Sequence, residues 1–310
     1  MKGAILFSTS NPASLNIMRH LVSDWAWQKR DERYYSFSAC GKERCCAGLE
    51  AFGFDQTIID IVPPSDTEAE RIRPLANLPG CKHAAVRAPG AKDAACAPAA
   101  KRFDYLLYAS THKSEAQTPS LTAHIPGNWD SADFGGSERT LNMAYCAKLK
   151  QILQLLYESA KKHGLDWPVC MEVDHHGPTP DGGKWPLLFV EIGSAKEQWE
   201  NELAGKVVAE AMMKALARPA PVVKAYLGVG GGHYAPKFTP FMLGSEGRAV
   251  GHVLAKYCAD TFDDKMLKEA IGKTLEPVQG VLVDWKGLSG EQRARILPLI
   301  EKSGLSWEKI

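Results

Sequence analysis

Short apolar runs alternate with stretches of helical period along this chain. Residues 3–8 (GAILFS), 33–38 (RYYSFS), 57–62 (TIIDIV), 103–109 (FDYLLYA), 222–228 (VVKAYLG) and 278–284 (VQGVLVD) read as strands. Between them lie helical patterns. Asn11 caps a helix with Pro12 at its first position, and Ile17, Met18 and Leu21 form its apolar face. Leu141, Tyr145, Leu149, Ile152, Leu153 and Leu156 predict a helix over 138–163, capped by Ser137 and ended by Gly164. Trp199, Leu203, Val207, Ala211 and Ala215 give another over 195–217, closed by Pro219. Residues 247–258 read as a helix carrying His252, and Ser289 caps a last one over 290–302, followed by Gly304. Strands separated by helices predict an α/β fold with a mostly parallel central sheet flanked by helices.

Length and composition narrow this picture. The 310 residues are 45% hydrophobic and 24% charged, which fits a sizeable core. We read residues 1–310 as a single domain. The stretch 81–102 departs from it: nine alanines, little periodicity, and Lys82, Arg87, Lys92, Lys101 and Arg102 against Asp93. It reads as a flexible insertion or as a basic arm for phosphate, and composition does not separate the two. Lysine and arginine total 37 against 36 acids, a net charge of +1. A whole-protein basic field for nucleic acid is excluded, whereas a local patch is not. No apolar run approaches the roughly 20 residues of a membrane helix, and the start reads as a strand rather than a signal peptide. The eight cysteines match neither zinc knuckles nor a secreted disulfide scaffold, so reduced thiols in a cytosolic or organellar compartment are expected.

The candidate chemistry concentrates in three places. Residues 171–194 hold Glu172, Asp174, His175 and His176, then a Gly-Pro turn and an apolar strand with Glu191 near its end. Residues 110–137 form a long polar loop after a strand, with His112, Lys113, His124, Asn128 and Trp129. Residues 228–239 place His233 after Gly230, Gly231 and Gly232, with Lys237 nearby. Imidazole and carboxylate are common zinc ligands, although any one of these histidines could equally be a hydrogen-bonded loop residue. The adjacent pair His175 and His176 points to a site role for at least one. There is no HExxH helix, no GxGxxG before a helix and no GK[ST] loop. Lys113 or Lys237 could hold a phosphate or an oxyanion, and Trp129 could stack on a base or pack in its loop. Cys170 sits in an apolar strand-like context and reads as buried.

Taken together, STHKS (110–114), TPSLTAHIPGNW (118–129), EVDHHGPT (172–179), LFVEIGS (188–194), GGGHYAPKF (230–238) and GHVLAKY (251–257) resemble the D-aminoacyl-tRNA deacylase family of archaea and plants. The resemblance spans most of the chain but not 81–102. It implies a fold related to peptidyl-tRNA hydrolase and phosphorylase-like proteins. It also implies a monomeric, Zn2+-dependent hydrolase of D-aminoacyl-tRNA, acting in translation quality control and aldehyde-damage tolerance. A cytoplasmic location, with the nucleus as a second one, is the matching expectation. On this reading His112, His124, His176, His233 and His252 are the metal candidates. His175, Glu172, Lys113 and Glu191 are the catalytic candidates. Asn128, Trp129, Gly230, Gly231, Gly232 and Lys237 are the substrate-binding candidates. Two alternatives stand beside it: another α/β metallohydrolase or phosphorylase-like enzyme for a small nucleoside or peptide, and a non-catalytic RNA-binding protein.

Overall fold

Two apolar segments, 105–113 and 187–194, form the inner strands on which the rest of the molecule is laid. The second is buried along its whole length, as a strand covered on both faces must be. The structure is a computed structural model and describes residues 3–7, 11–24, 28–31, 34–38, 55–60 and 104–310. The alanine-rich stretch 81–102 lies outside them. In chain order the strands are β1 Gly3–Phe7, β2 Gln28–Asp31, β3 Tyr34–Ser38, β4 Asp55–Asp60, β5 Tyr105–Lys113, β6 Ser120–His124, β7 Gly127–Asn128, β8 Thr140–Leu141, β9 Val169–Met171, β10 Leu187–Ser194, β11 Lys224–Val229, β12 Arg248–Leu254, β13 Val278–Val283 and β14 Trp307–Lys309. The helices are α1 Pro12–Asp24, α2 Cys146–His163, α3 Lys196–Trp199, α4 Glu202–Ala217, α5 Thr239–Leu243, α6 Asp264–Gly272 and α7 Gly290–Lys302.

The α/β class is as expected, but there are two main sheets rather than one. The larger runs β2-β3-β4-β1-β5-β10-β6-β9, and the smaller, all parallel, runs β12-β11-β13-β14. Three pairings of the larger sheet are antiparallel: β2 with β3, β3 with β4, and β6 with β10. One core forms where α1, α2 and α4 cover the larger sheet. A second forms where α6 and α7 cover the smaller one. No helix among the described residues is long and apolar enough to cross a membrane.

Three boundaries differ from the sequence expectation for physical reasons. The long helix begins at Cys146, not at 138 after Ser137. Residues 140–141 instead pair with 127–128, and Glu276 accepts from the amides of Cys146 and Ala147 in place of a local cap. The expected helix over 195–217 breaks at Asn201, whose side chain accepts from Ala204 N and starts α4 afresh. The segment carrying His252 is β12, not a helix. Its short apolar run fits either period, and pairing with β11 decides it.

Helix α2 is lashed to its neighbours by buried lysines. Lys148 Nζ donates to Ala215 O at 2.7 Å near the end of α4, and Lys150 Nζ donates to Gly244 O at 2.8 Å just past α5. At its far end, Lys162 and His163 join Lys214 around Glu210. Burial pushes the Glu210 carboxyl upward, but the bonds from Lys162, Lys214 and His163 pull it down to about 2 from 4.5. A depressed carboxyl contributes stability above its unfolded value and loses it as pH falls through the folded one. Glu210→Gln is therefore expected to lower the urea midpoint at pH 7. The gap to the unchanged protein should close as pH falls from about 4.5 toward 2, read by urea melts across that range.

Candidate active site

Four strands of the larger sheet and one of the smaller each deliver one polar side chain to a common point. His112 lies near the end of β5, Glu191 near the end of β10 and His124 at the end of β6. Glu172 is the first residue past β9, and His233 follows the turn after β11. Register holds β10 between the other two strands: Gly193 lies beside His112, and Phe189 beside His124. Gly193 must be small, because a Cβ there would stand 2.7 Å from His112 Cδ2. Gly230 and Gly231 take φ of +98° and +88°, the left-handed turn that delivers His233.

The centre of the cluster is Glu172, whose side chain is fully buried. Its Oε2 accepts from His175 Nε2 at 2.7 Å and lies 3.2 Å from His233 Nε2. Its Oε1 lies 3.0 Å from His112 Nδ1, yet the angle is not that of a hydrogen bond, so Oε1 has no such partner. Glu191 Oε2 lies between His112 Nδ1 at 3.9 Å and His124 Nε2 at 3.8 Å. The rings of His124 and His175 stack at 4.3 Å between centroids. Tyr234 Oη lies 2.9 Å from His112 Nε2, which leaves Nδ1 of that ring for the cluster.

Burial dominates the electrostatics. It pushes the Glu172 carboxyl upward, but hydrogen bonding from His175 and the approach of His233 and His124 outweigh it, holding the group well below the usual carboxylate range. Burial lowers His112, with Glu172 opposing and His233 and His175 assisting. It lowers His124 further, with the charge of His175 adding to it. His176 is brought down to about 3 by burial and then by His175. The neutral imidazoles of His112 and His124 and the ionised carboxylate of Glu172 bring lone pairs to one place.

That set fits a metal ion. His112, Glu172 and His233 bring one donor atom each within 4.8 Å of one another, and so do His124, Glu172 and His175. The buried Nε2 atoms of His124 and His233 and Glu172 Oε1 have no hydrogen-bond partner. Orphaned polar atoms at this depth need a partner of some kind. Three N and O donors with a position left open is the donor chemistry of a catalytic zinc site.

The cluster opens into a cavity of about 1290 Å³. His112, His175, His176 and His233 border it, with Lys113, Lys196, Trp199, Phe134 and Tyr257. Five of the six histidines singled out in the sequence thus share one place, while the sixth does not. His252 Nδ1 lies 2.6 Å from Asp174 Oδ2, and its Nε2 lies 3.0 Å from Lys273 O. With both nitrogens taken, His252 is a fully buried structural partner and not a metal candidate.

Other expectations are corrected as well. Asn128 borders the cavity, but its amide donates to Gly135 O and Ser137 O and pins the following loop. Trp129 borders the cavity as well, but it is only 4% exposed, packs edge-on against His252 and Phe262 and donates to Val253 O. The amides of Gly230 and Gly231 donate to Leu254 O and Gly287 O, so neither is available to an oxyanion. Gly232 and Lys237 are exposed and do not line the cavity. Tyr234 and Gly193 went unnoticed in the sequence. Both sit one position from a singled-out histidine or inside a quoted motif, and that adjacency was the available signal.

A sequence-family model described as D-aminoacyl-tRNA deacylase matches residues 99–308. The chain is 38% identical over 206 residues to a D-aminoacyl-tRNA deacylase of Pyrococcus furiosus, covering 66% of this chain and 73% of that protein. It is 35% identical over 219 residues to one of Methanocaldococcus jannaschii, covering 67% and 82%. The fold is similar to a crystal structure described as a conserved protein of unknown function, AF0625. The TM-score is 0.74 at 26% identity, over 99% of this chain and 95% of that one.

Proposed function

The chain belongs to the D-aminoacyl-tRNA deacylase family, and from that premise we infer that it hydrolyses the ester joining a D-amino acid to the terminal ribose of tRNA. The products are free D-amino acid and tRNA. The observation that carries the chemistry is Glu172, a buried carboxylate ringed by His112, His175 and His233 beside a cavity of about 1290 Å³.

We propose Zn2+ as the cofactor, held by His112, Glu172 and His233, the donor set of which two members border the cavity. When bound, the ion supplies Lewis acidity and a water with a pKa of about 7. The protein's own groups do the rest. Glu191, between His112 and His124, takes up the proton that an attacking water releases. His175, hydrogen-bonded to Glu172 and bordering the cavity, takes that proton on its other ring nitrogen and hands it to the leaving ribose oxygen, so each group ends as it began. Lys113 and Lys196, exposed on the cavity wall, meet the terminal phosphate.

Hydrolysis of matched D- and L-aminoacyl-tRNA by the same preparation, before and after metal stripping, tests this reading. D-ester turnover that falls on stripping and returns with Zn2+ is the expected result. Full activity in thoroughly stripped protein would remove zinc from the account, and equal D and L rates would remove the chirality. Tyr234→Phe is expected to lower kcat/KM about ten-fold, because it frees His112 to turn. An unchanged pre-steady-state rate would show that His112 is held without it.

A further inference from the structure

Phe134 is the most exposed aromatic among the described residues, at 74%, and it stands on the wall of the cavity. A single exposed apolar ring is ordinary on a protein surface. This one is distinguished by its mounting. Asn128 Nδ2 donates to Gly135 O at 2.9 Å and Ser137 O at 3.1 Å. Ser137 N donates to Thr179 Oγ1 at 2.9 Å, and Arg139 N to Asp130 O at 2.8 Å. Gly136 passes so near the 177 carbonyl that a Cβ would lie 2.4 Å from it. The loop is therefore built to hold a large apolar side chain out in water, next to the site.

Its position relative to the chemistry is equally specific. The Phe134 ring centroid is 6.3 Å from that of His176, which is 4.1 Å from that of His175, the hydrogen-bond partner of Glu172. Tyr257, 59% exposed, is a second aromatic bordering the same cavity. In an aminoacyl-tRNA the ester and the last base hang from one ribose, so a base lies a sugar's width from the scissile bond. Trp129, the aromatic that the sequence offers for stacking, borders the cavity but is only 4% exposed, so the ring presented to solvent is that of Phe134.

We propose that Phe134 is the platform on which the terminal adenine of the tRNA stacks while its ester lies at the histidine cluster. The proposal rests on the deacylase reading for the identity of the ligand. Stacking tolerates any base face and needs no hydrogen-bond readout, which suits an enzyme that must accept many tRNAs.

The test uses the full chain and an uncharged acceptor-stem hairpin whose 3′-terminal adenine is replaced by 2-aminopurine. The fluorescence of this base is quenched when it stacks. Quenching is expected with the unchanged protein and with Phe134→Trp, and its loss with Phe134→Ala. With D-aminoacyl-tRNA, Phe134→Ala is expected to raise KM about ten-fold, the loss of one base–aromatic stack, while kcat stays within about two-fold. Quenching that survives Phe134→Ala, or none with the unchanged protein, overturns the proposal. Failure of the unchanged protein to hydrolyse any D-aminoacyl-tRNA would instead overturn the deacylase reading, and the hairpin signal is read independently of it.

Discussion

Glu172→Gln is expected to lower kcat/KM for D-aminoacyl-tRNA about a thousand-fold while the protein stays folded. Glutamine keeps the shape of the side chain but carries one acceptor oxygen where the carboxylate has two. In the native cluster those oxygens face in two directions, Oε1 toward His112 and Oε2 toward His175 and His233. An amide that keeps its oxygen on the His175 donor turns its NH2 toward His112 Nδ1 and occupies a lone pair that the metal set requires. The negative charge that gathers the imidazoles is also lost. Zinc content measured by mass spectrometry should fall with activity, and the far-UV circular dichroism should not change. A variant within ten-fold of the unchanged protein would show that Glu172 is only a structural carboxylate. The same result with zinc retained would move the metal to other residues.

His252→Ala should be strongly destabilising, by about 3–5 kcal/mol, because it strands the buried Asp174 carboxyl without the ring nitrogen that lies 2.6 Å from it. Burial holds the Asp174 carboxyl above its ordinary value even with His252 beside it. Once the imidazole is gone, the carboxylate retains only the amide of Val253. A smaller effect is expected from the double change Asp174→Ala with His252→Ala, since no charge is then stranded. Urea melts of the two singles and the double give the coupling directly. If the three costs simply add, the pair is not the unit described here. Because Asp174 adjoins His175, the single change should also reduce turnover at temperatures where the protein remains folded.

Much of this could be read in the chain, and the failures have identifiable causes. The strands near 105–109, 224–228 and 278–283 and the helices α1 and α7 carry unambiguous periods or caps, and they form as expected. The three clusters of histidine and carboxylate do converge. What the chain could not show was how each side chain spends its hydrogen bonds. His252 sits in a motif like the others, and only its two occupied nitrogens make it structural. Trp129 and Phe134 are five positions apart in one polar loop, and composition does not say which ring is buried. Three glycines in a row suggest backbone amides open to a substrate, yet two of those amides are spent on neighbouring carbonyls. Pairing partners far along the chain settle each of these questions.

The place of β10 has a consequence for how the protein comes into being. Residues 114–119 alone join β5 to β6, so on emergence from the ribosome these two strands are near neighbours with free edges. In the finished sheet they do not touch, because β10, made much later, lies between them. Closing the sheet waits for a strand far along the chain, a non-local step of the kind that slows folding. Glu191 arrives on that strand, between His112 and His124. The larger sheet and the carboxylate between His112 and His124 therefore arrive together, and the cluster stays incomplete until His233 follows β11.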